Sequence, residues 1–397
     1  MRDRRDPRIK AGAATIALAL LVGGAVVAQD PRPPADDGAP AKDAKVAPEK
    51  EKEKEKEKAK PSTRKGRLLR APAKAPARGA RQGADPLANA ANADGTPVLP
   101  GQPLPEAGKF HYRFKIVVGD GEPLSAAYYP AKLGNTSPVV LLVHERERSS
   151  KDFEESIAEL KKFSFAEDLQ KQGYAVLAVD YRGHGASTPR RTLPKAEWPS
   201  VVNDLQTAYY CLVDRHNRGE LNLAKLGVVA LGEGANAAAT WAAMGGGVSG
   251  EGRTSDLGAL VLVSPMVDAQ AQNLPIKGPI NALAARVPLD LVVGERDAAS
   301  AALIDDGPAS VKAVVRRYQR TNKVETFPSA LHGYKLLQFE PNMTSAVYRF
   351  LETSIKVKVD EWDGRYLLTP VNYAEIKILK NPVRVDPTAP ATKKDAN

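Results

Sequence analysis

Five short apolar runs constrain this chain more than anything else in it: PVVLLVH from Pro138, YAVLAVD from Tyr174, KLGVVAL from Lys225, LGALVLV from Leu257 and PLDLVVG from Pro288. None alternates polar with apolar residues over its length, so each reads as a strand covered on both faces. Stretches with helical spacing lie between and after them: FEESIAELKKFSFAEDLQKQGY ending at Gly173, PSVVNDLQTAYYCLVDRHN, the Ala-rich EGANAAATWAA, PASVKAVVRRYQ and PNMTSAVYRFLETSI. Strands alternating with helices imply βαβ crossovers, hence an α/β fold with a mostly parallel central sheet and helices on both faces. Upstream, KFHYRFKIVVGDGEPLSAAYYPAK alternates around a Gly-Asp-Gly turn and predicts an antiparallel hairpin at one edge. The longest irregular stretch, 268–287, is too short for a separate cap. Residues 356–397 trail the last helix as a C-terminal extension, whose weakly alternating KVKVDEWDGRYLLTPVNYAEIKILK predicts an extra strand or hairpin packed on the domain.

The chain before this domain, residues 109–355, is of another kind. Residues 1–10 are basic on balance, residues 11–28 carry no charge, and Val26-Val27-Ala28 is a small-residue cleavage pattern, so 1–28 reads as an export signal. An uncleaved anchor is the alternative, since 18 apolar residues sit at the lower limit for a spanning helix. Either way the basic end stays in the cytoplasm and the remainder is periplasmic or extracellular. Residues 29–108 are Ala, Pro, Lys and Glu, including EKEKEKEKEK, and lack the large apolar side chains that offset the entropy of ordering; they read as a disordered tail. Eight Lys and Arg between Lys60 and Arg81, with no acid among them, suit an anionic envelope polymer or lipid in a salt-dependent way, or a solvated spacer. Nothing aromatic is interleaved there for base stacking, which argues against nucleic acid. After residue 108 the charge is nearly balanced, 36 basic against 33 acidic residues, so the high pI belongs largely to the leader and tail. The single cysteine, Cys211, excludes an internal disulfide framework and any cysteine cage for a metal.

The segment KLGVVALGEGANAAATWAA is a buried strand, a turn of small residues and a helix, the way a chain builds a sharp corner above a sheet. Its apex, ALGEG, holds no Ser, Cys or Asp. The succession of hairpin, VVLLVHE, VLAVDYRGHGAS, strand-corner-helix, LVVGERD and FPSALHG resembles the α/β-hydrolase fold from Phe110 to Ile355, most closely compact esterases and serine peptidase-like hydrolases without a large cap. That resemblance implies a nucleophile at the corner, an acid after a later strand and a histidine near the end of the domain. His332 in ALHG matches the histidine and Asp297 in GERD the acid. The two are chemically coherent, because a carboxylate on one ring nitrogen leaves the other as a base. They are either a working base and acid or relics of the fold.

The corner departs from the family. Gly232 takes the nucleophile's position, where the family needs a left-handed backbone that Gly adopts most easily. Glu145 stands where the family has Gly beside His144, and Glu233 follows the missing nucleophile; both are positions whose N–H groups would form an oxyanion hole. Carboxylates there oppose a developing oxyanion. Other candidates fit less well. Ser264 ends a strand away from the corner, His184 belongs to a loop signature, and Asp268 is a displaced alternative to Asp297. Glu145, Glu233 and His332 are conceivable metal ligands without a compact ligand spacing, and no cofactor motif is present.

The expectation is an exported hydrolase-fold protein without serine-hydrolase chemistry, a binding or scaffold module taking a small molecule or protein in the hydrolase pocket. The alternative is an active hydrolase of esters or amides in which His332 and Asp297 activate water or another nucleophile. Export is checked by N-terminal sequencing of the protein recovered outside the cytoplasm. Cleavage after Ala28 leaves Gln29 first; retention of residues 1–28 identifies an anchor.

Overall fold

The structure, a computed structural model, describes residues 108–381 apart from 119–120, 161–162, 188–194, 249–253, 268–272, 309, 360 and 368. The leader, the 60–81 segment and Asp268 lie outside the described residues. The five apolar runs form β3 (Val139–Val143), β4 (Ala175–Val179), β5 (Leu226–Leu231), β6 (Leu257–Val263) and β7 (Leu289–Gly294), with β8 (Lys323–Phe327) beside β7. These six run parallel to one another. The hairpin of β1 (Phe110–Val118) and β2 (Leu124–Tyr129) sets Tyr112 opposite Tyr128 and joins antiparallel through β2 to β4. β9 (Val371–Lys380), from the C-terminal extension, pairs antiparallel with β1. The sheet order is β8-β7-β6-β5-β3-β4-β2-β1-β9. β9 therefore takes the edge, and the hairpin lies one strand further in.

Alternate residues of the central strands feed two cores. Val139, Leu141 and Val143 pack with α2 (Val201–Asn217), α3 (Glu233–Ala243), α4 (Lys277–Leu283) and α5 (Val311–Arg317) on one face. Val140 and Leu142 pack with α1 (Phe165–Lys171), α6 (Gly333–Phe339) and α7 (Met343–Leu351) on the other. The long helix expected before Gly173 is not formed; α1 begins only at Phe165. Ser164 caps it by accepting from the N–H of Glu167, whose side chain accepts from the N–H of Ser164. Upstream, Ser150–Glu154 is a 3-10 turn and Ser156 bridges to Ser164, which commits that backbone elsewhere.

The extension is anchored at β9 and just before it. Arg215 is fully buried with its guanidinium 4.4 Å from the Tyr373 ring centroid and 5.4 Å from those of Phe114 and Tyr128. Arg365 pairs with buried Asp256 at 2.9 Å, and Asp256 also accepts from the Tyr209 hydroxyl at 2.6 Å. Cys211 lies beneath, its thiol pushed up to about 11, chiefly by burial, and so unreactive.

Asp290 breaks the apolar pattern of β7. It is fully buried, and neither carboxylate oxygen has a hydrogen-bond partner among the described residues. Burial first, then the charge of Glu325, pushes its pKa up to about 7 against the pull of Lys323 and Arg349. Because the folded-state value is raised, the unfolded chain loses this proton first, and stability falls as pH climbs from about 4 towards 7. Asp290→Asn is expected to raise unfolding free energy by about 2–4 kcal/mol above pH 7 and by little near pH 4. Urea unfolding across that range checks it; an equal effect at both ends contradicts it.

Candidate active site

β5 turns into α3 through Gly232, whose φ of 54° and ψ of −129° strain any residue with a side chain. The Gly232 N–H donates to the Val263 carbonyl at 2.9 Å. Two residues on, a Cβ at Gly234 would overlap the His144 carbonyl oxygen and lie 3.2 Å from the Tyr181 hydroxyl. The corner is thus pressed against the end of β3.

His144 anchors the loop that leaves β3. Its Nδ1–H donates to the Glu145 carbonyl at 2.6 Å, and its Nε2 accepts from the Tyr181 N–H at 3.3 Å. That pair of partners defines a neutral tautomer, since a carbonyl only accepts and an amide N–H only donates. Burial, outweighing the nearby Asp180 charge, pulls the ring's pKa to about 4.

With its carbonyl held there, Glu145 extends its side chain across the corner. A Cβ at Gly232 would lie 2.6 Å from Glu145 Cγ, 3.1 Å from Cδ and 3.4 Å from Cβ. The Glu145 carboxylate accepts the Tyr334 N–H at the start of α6, in space that a Cβ at Gly333 would overlap. A second tie runs beside it. The Arg148 guanidinium sits 4.1 Å from the Tyr334 ring centroid and donates to Asp152 at 2.9 Å, while the Tyr334 hydroxyl donates to Glu155.

His332 immediately precedes α6, and Asp297 comes after β7. The His332 Nδ1–H donates to Asp297 Oδ2 at 2.8 Å, and Asp297 Oδ1 also accepts the Ala299 N–H at 3.1 Å. Burial alone would raise the pKa of Asp297, but the His332 bond and charge hold it below the usual carboxylate range. For His332, burial lowers the pKa, and the Asp297 bond with the charges of Asp297, Glu145 and Glu233 more than offsets it, so the net shift is upward. Glu145 is raised, chiefly by burial, against the Tyr334 N–H and the charges of His332 and Arg148. The protonated His332 therefore stabilises the fold. That contribution is complete below the ordinary histidine value and is lost as pH rises through the raised one.

The structure brings together His332, Asp297, Glu145 and Gly232, with Glu233 partly buried at the first position of α3. Ser264 follows β6 with φ 48°, fully buried; its hydroxyl has no partner among the described residues and does not bond His332. His184 packs against His144 and Trp198, at 5.5 and 5.8 Å between centroids, with Nδ1 3.0 Å from the Arg182 carbonyl. Among the described residues no group of three His, Cys, Asp or Glu is arranged to hold a metal. Sequence reasoning missed Tyr334 and Arg148, whose roles depend on contacts spanning nearly two hundred residues.

The electrostatics are checked by following the His332 ring by NMR through a pH titration. Its midpoint is expected above the ordinary histidine value, and Glu145→Gln is expected to lower it. A midpoint indifferent to Glu145 contradicts the geometry.

Comparison with known proteins agrees with this fold. The serine aminopeptidase S33 family model matches residues 135–350, more than half of the chain. Similar solved structures include a Pyrococcus furiosus esterase at 21% identity, covering 63% of this chain and 93% of that one with a TM-score of 0.44. An acylaminoacyl peptidase from Pyrococcus horikoshii is 14% identical over 64% of this chain and 43% of that one, with a TM-score of 0.46. A Rhizomucor miehei esterase is 15% identical over 62% of this chain and 83% of that one, with a TM-score of 0.44. No curated protein matches the sequence. From the strand order, the corner after β5, the His332–Asp297 pair and the family match together, the chain belongs to the serine aminopeptidase S33 family of the α/β-hydrolase fold.

Proposed function

We propose that this chain is a hydrolase-fold protein that has given up serine-hydrolase chemistry and serves as a binding or scaffold module. It would be exported, with residues 29–108 spacing the domain from its leader and the basic 60–81 segment available to an anionic lipid or polymer of the envelope. One observation carries the loss of chemistry. The Glu145 side chain fills the space in which a residue at the apex of the corner would place its nucleophile, and the apex residue is Gly232.

Acyl transfer in this fold needs a hydroxyl or thiol within hydrogen-bond reach of the histidine, and N–H donors aimed at the oxyanion. Among the described residues no hydroxyl or thiol bonds His332. The side chain crossing the corner is a carboxylate, and the charge of Glu233 adds to it at His332. A negative charge developing on a bound carbonyl would meet like charge there. The Tyr334 N–H, an available donor near the corner, already serves Glu145.

A second reading rests on the intact His332–Asp297 bond, which leaves Nε2 as a base able to take a proton from water. Hydrolysis of short p-nitrophenyl esters separates the two. Wild type is expected to match the uncatalysed rate. Gly232→Ser alone is expected to stay silent, because its side chain meets Glu145, whereas Glu145→Gly with Gly232→Ser is expected to gain about 10²-fold or more. Wild-type turnover that disappears in His332→Ala would overturn the binding-module reading in favour of the second.

A further inference from the structure

The end of the sheet away from Gly232 carries a cleft of about 220 Å³. It lies where β7 and β8 begin, and Gly232, Asp297 and His332 lie where strands end, so a strand's length of roughly 15–20 Å separates the two places. Its walls come from Pro288 before β7, the segment Gln319–Lys323 leading into β8, and the end of α7 with the turn beyond it.

The lining is chemically one-sided. It holds three cations, Arg320, Lys323 and Lys358, and no carboxylate. None of the three has an ion-pair partner among the described residues. Asp290 stands opposite Lys323 in the β7–β8 register, but it is buried within the strand and is not part of the lining. Several polar neighbours are already committed to the fold. The Thr353 hydroxyl donates to the Arg349 carbonyl at 2.9 Å, and the Asn322 amide donates to Ala284 at 2.7 Å while its oxygen accepts from Leu289. The side chains of the three cations, of Gln319 and of Ser354 make no hydrogen bond to another described residue.

The backbone shapes one wall of the cleft. Residues Glu352–Lys356, which carry Thr353 and Ser354 into the wall, form a π-helical turn closed by the Val357 N–H on the Glu352 carbonyl at 3.1 Å. A π-turn of this kind is an ordinary way for a helix to end, and here it sets Thr353 and Ser354 in the wall.

We infer that this cleft is a second ligand site, one that binds a phosphate monoester group. Three like charges around one small space repel each other, and a doubly charged anion relieves that repulsion where a single carboxylate would do so only in part. The guanidinium offers a planar fork to two phosphate oxygens, and the lysines add compact charges. The volume is below that of pockets for drug-sized ligands, so it takes a terminal group rather than a whole large molecule. The group belongs to a soluble phosphate ester or to a lipid headgroup.

The test uses the full chain. Inorganic phosphate and glycerol 3-phosphate are titrated calorimetrically, and sedimentation with phosphatidylcholine vesicles is compared with and without phosphatidic acid. Arg320→Ala with Lys323→Ala is expected to weaken at least one of these interactions about tenfold or more. Lys377→Ala, on β9 at the far edge, is expected to leave all unchanged. The basic 60–81 segment is common to every variant, so the difference reads the cleft. A loss confined to the soluble probes identifies a soluble ester as the source, and a loss on vesicles identifies lipid. Absence of binding to every probe, or binding equal in the double variant and wild type, overturns the site. Neither result bears on the chemistry at Gly232.

Discussion

The corner between β5 and α3 sets where everything at that end of the sheet can go. It exists because Gly232 takes a backbone conformation closed to side chains, and because Gly234 lets α3 start in contact with the His144 carbonyl. Once α3 starts there, Ala235, Ala237, Ala238 and Ala239 are all fully buried behind it. Asn236 then ties the helix to the loop after β6, accepting the Met266 N–H at 2.9 Å and donating to the Met266 and Leu274 carbonyls. Glu145 can cross the corner only because nothing projects from Gly232. The family's corner and the path of Glu145 across it therefore rest on the same missing side chain.

That crossing sets the electrostatics. Acyl transfer calls for N–H donors where negative charge forms. Here three carboxylates, Asp297, Glu145 and Glu233, act on one histidine and raise its affinity for a proton despite burial. The Tyr334 N–H and the Arg148 stack hold Glu145 in place from the other side. The pieces are mutually supportive. Removing the Glu145 carboxylate would free the Tyr334 N–H and lower the charge on the imidazole together.

Much of the fold was legible because a parallel strand buried on both faces has an apolar signature that few other elements share. β9 was faint for the converse reason: as an edge strand it is largely exposed on alternate and adjacent positions, so its pattern is diluted. The late start of α1 was written in the sequence as Ser164 and Glu167, a capping pair inside an otherwise continuous helical period. At the site, Gly232, Asp297 and His332 could be located from the order of the elements. That Glu145 would fill the corner could not, because its position in sequence fixed only its backbone. The direction of its side chain depends on Tyr334, 189 residues away, and on a His144 tautomer set by Tyr181.

The most direct test of the central claim is intact-mass spectrometry of the wild-type protein after incubation with a fluorophosphonate, which adds irreversibly to an activated serine. With the Glu145 side chain above Gly232 and no hydroxyl bonded to His332 among the described residues, the mass is expected to remain unchanged. A single stoichiometric adduct, mapped to any serine of the domain, would contradict the account by revealing a nucleophile that His332 activates.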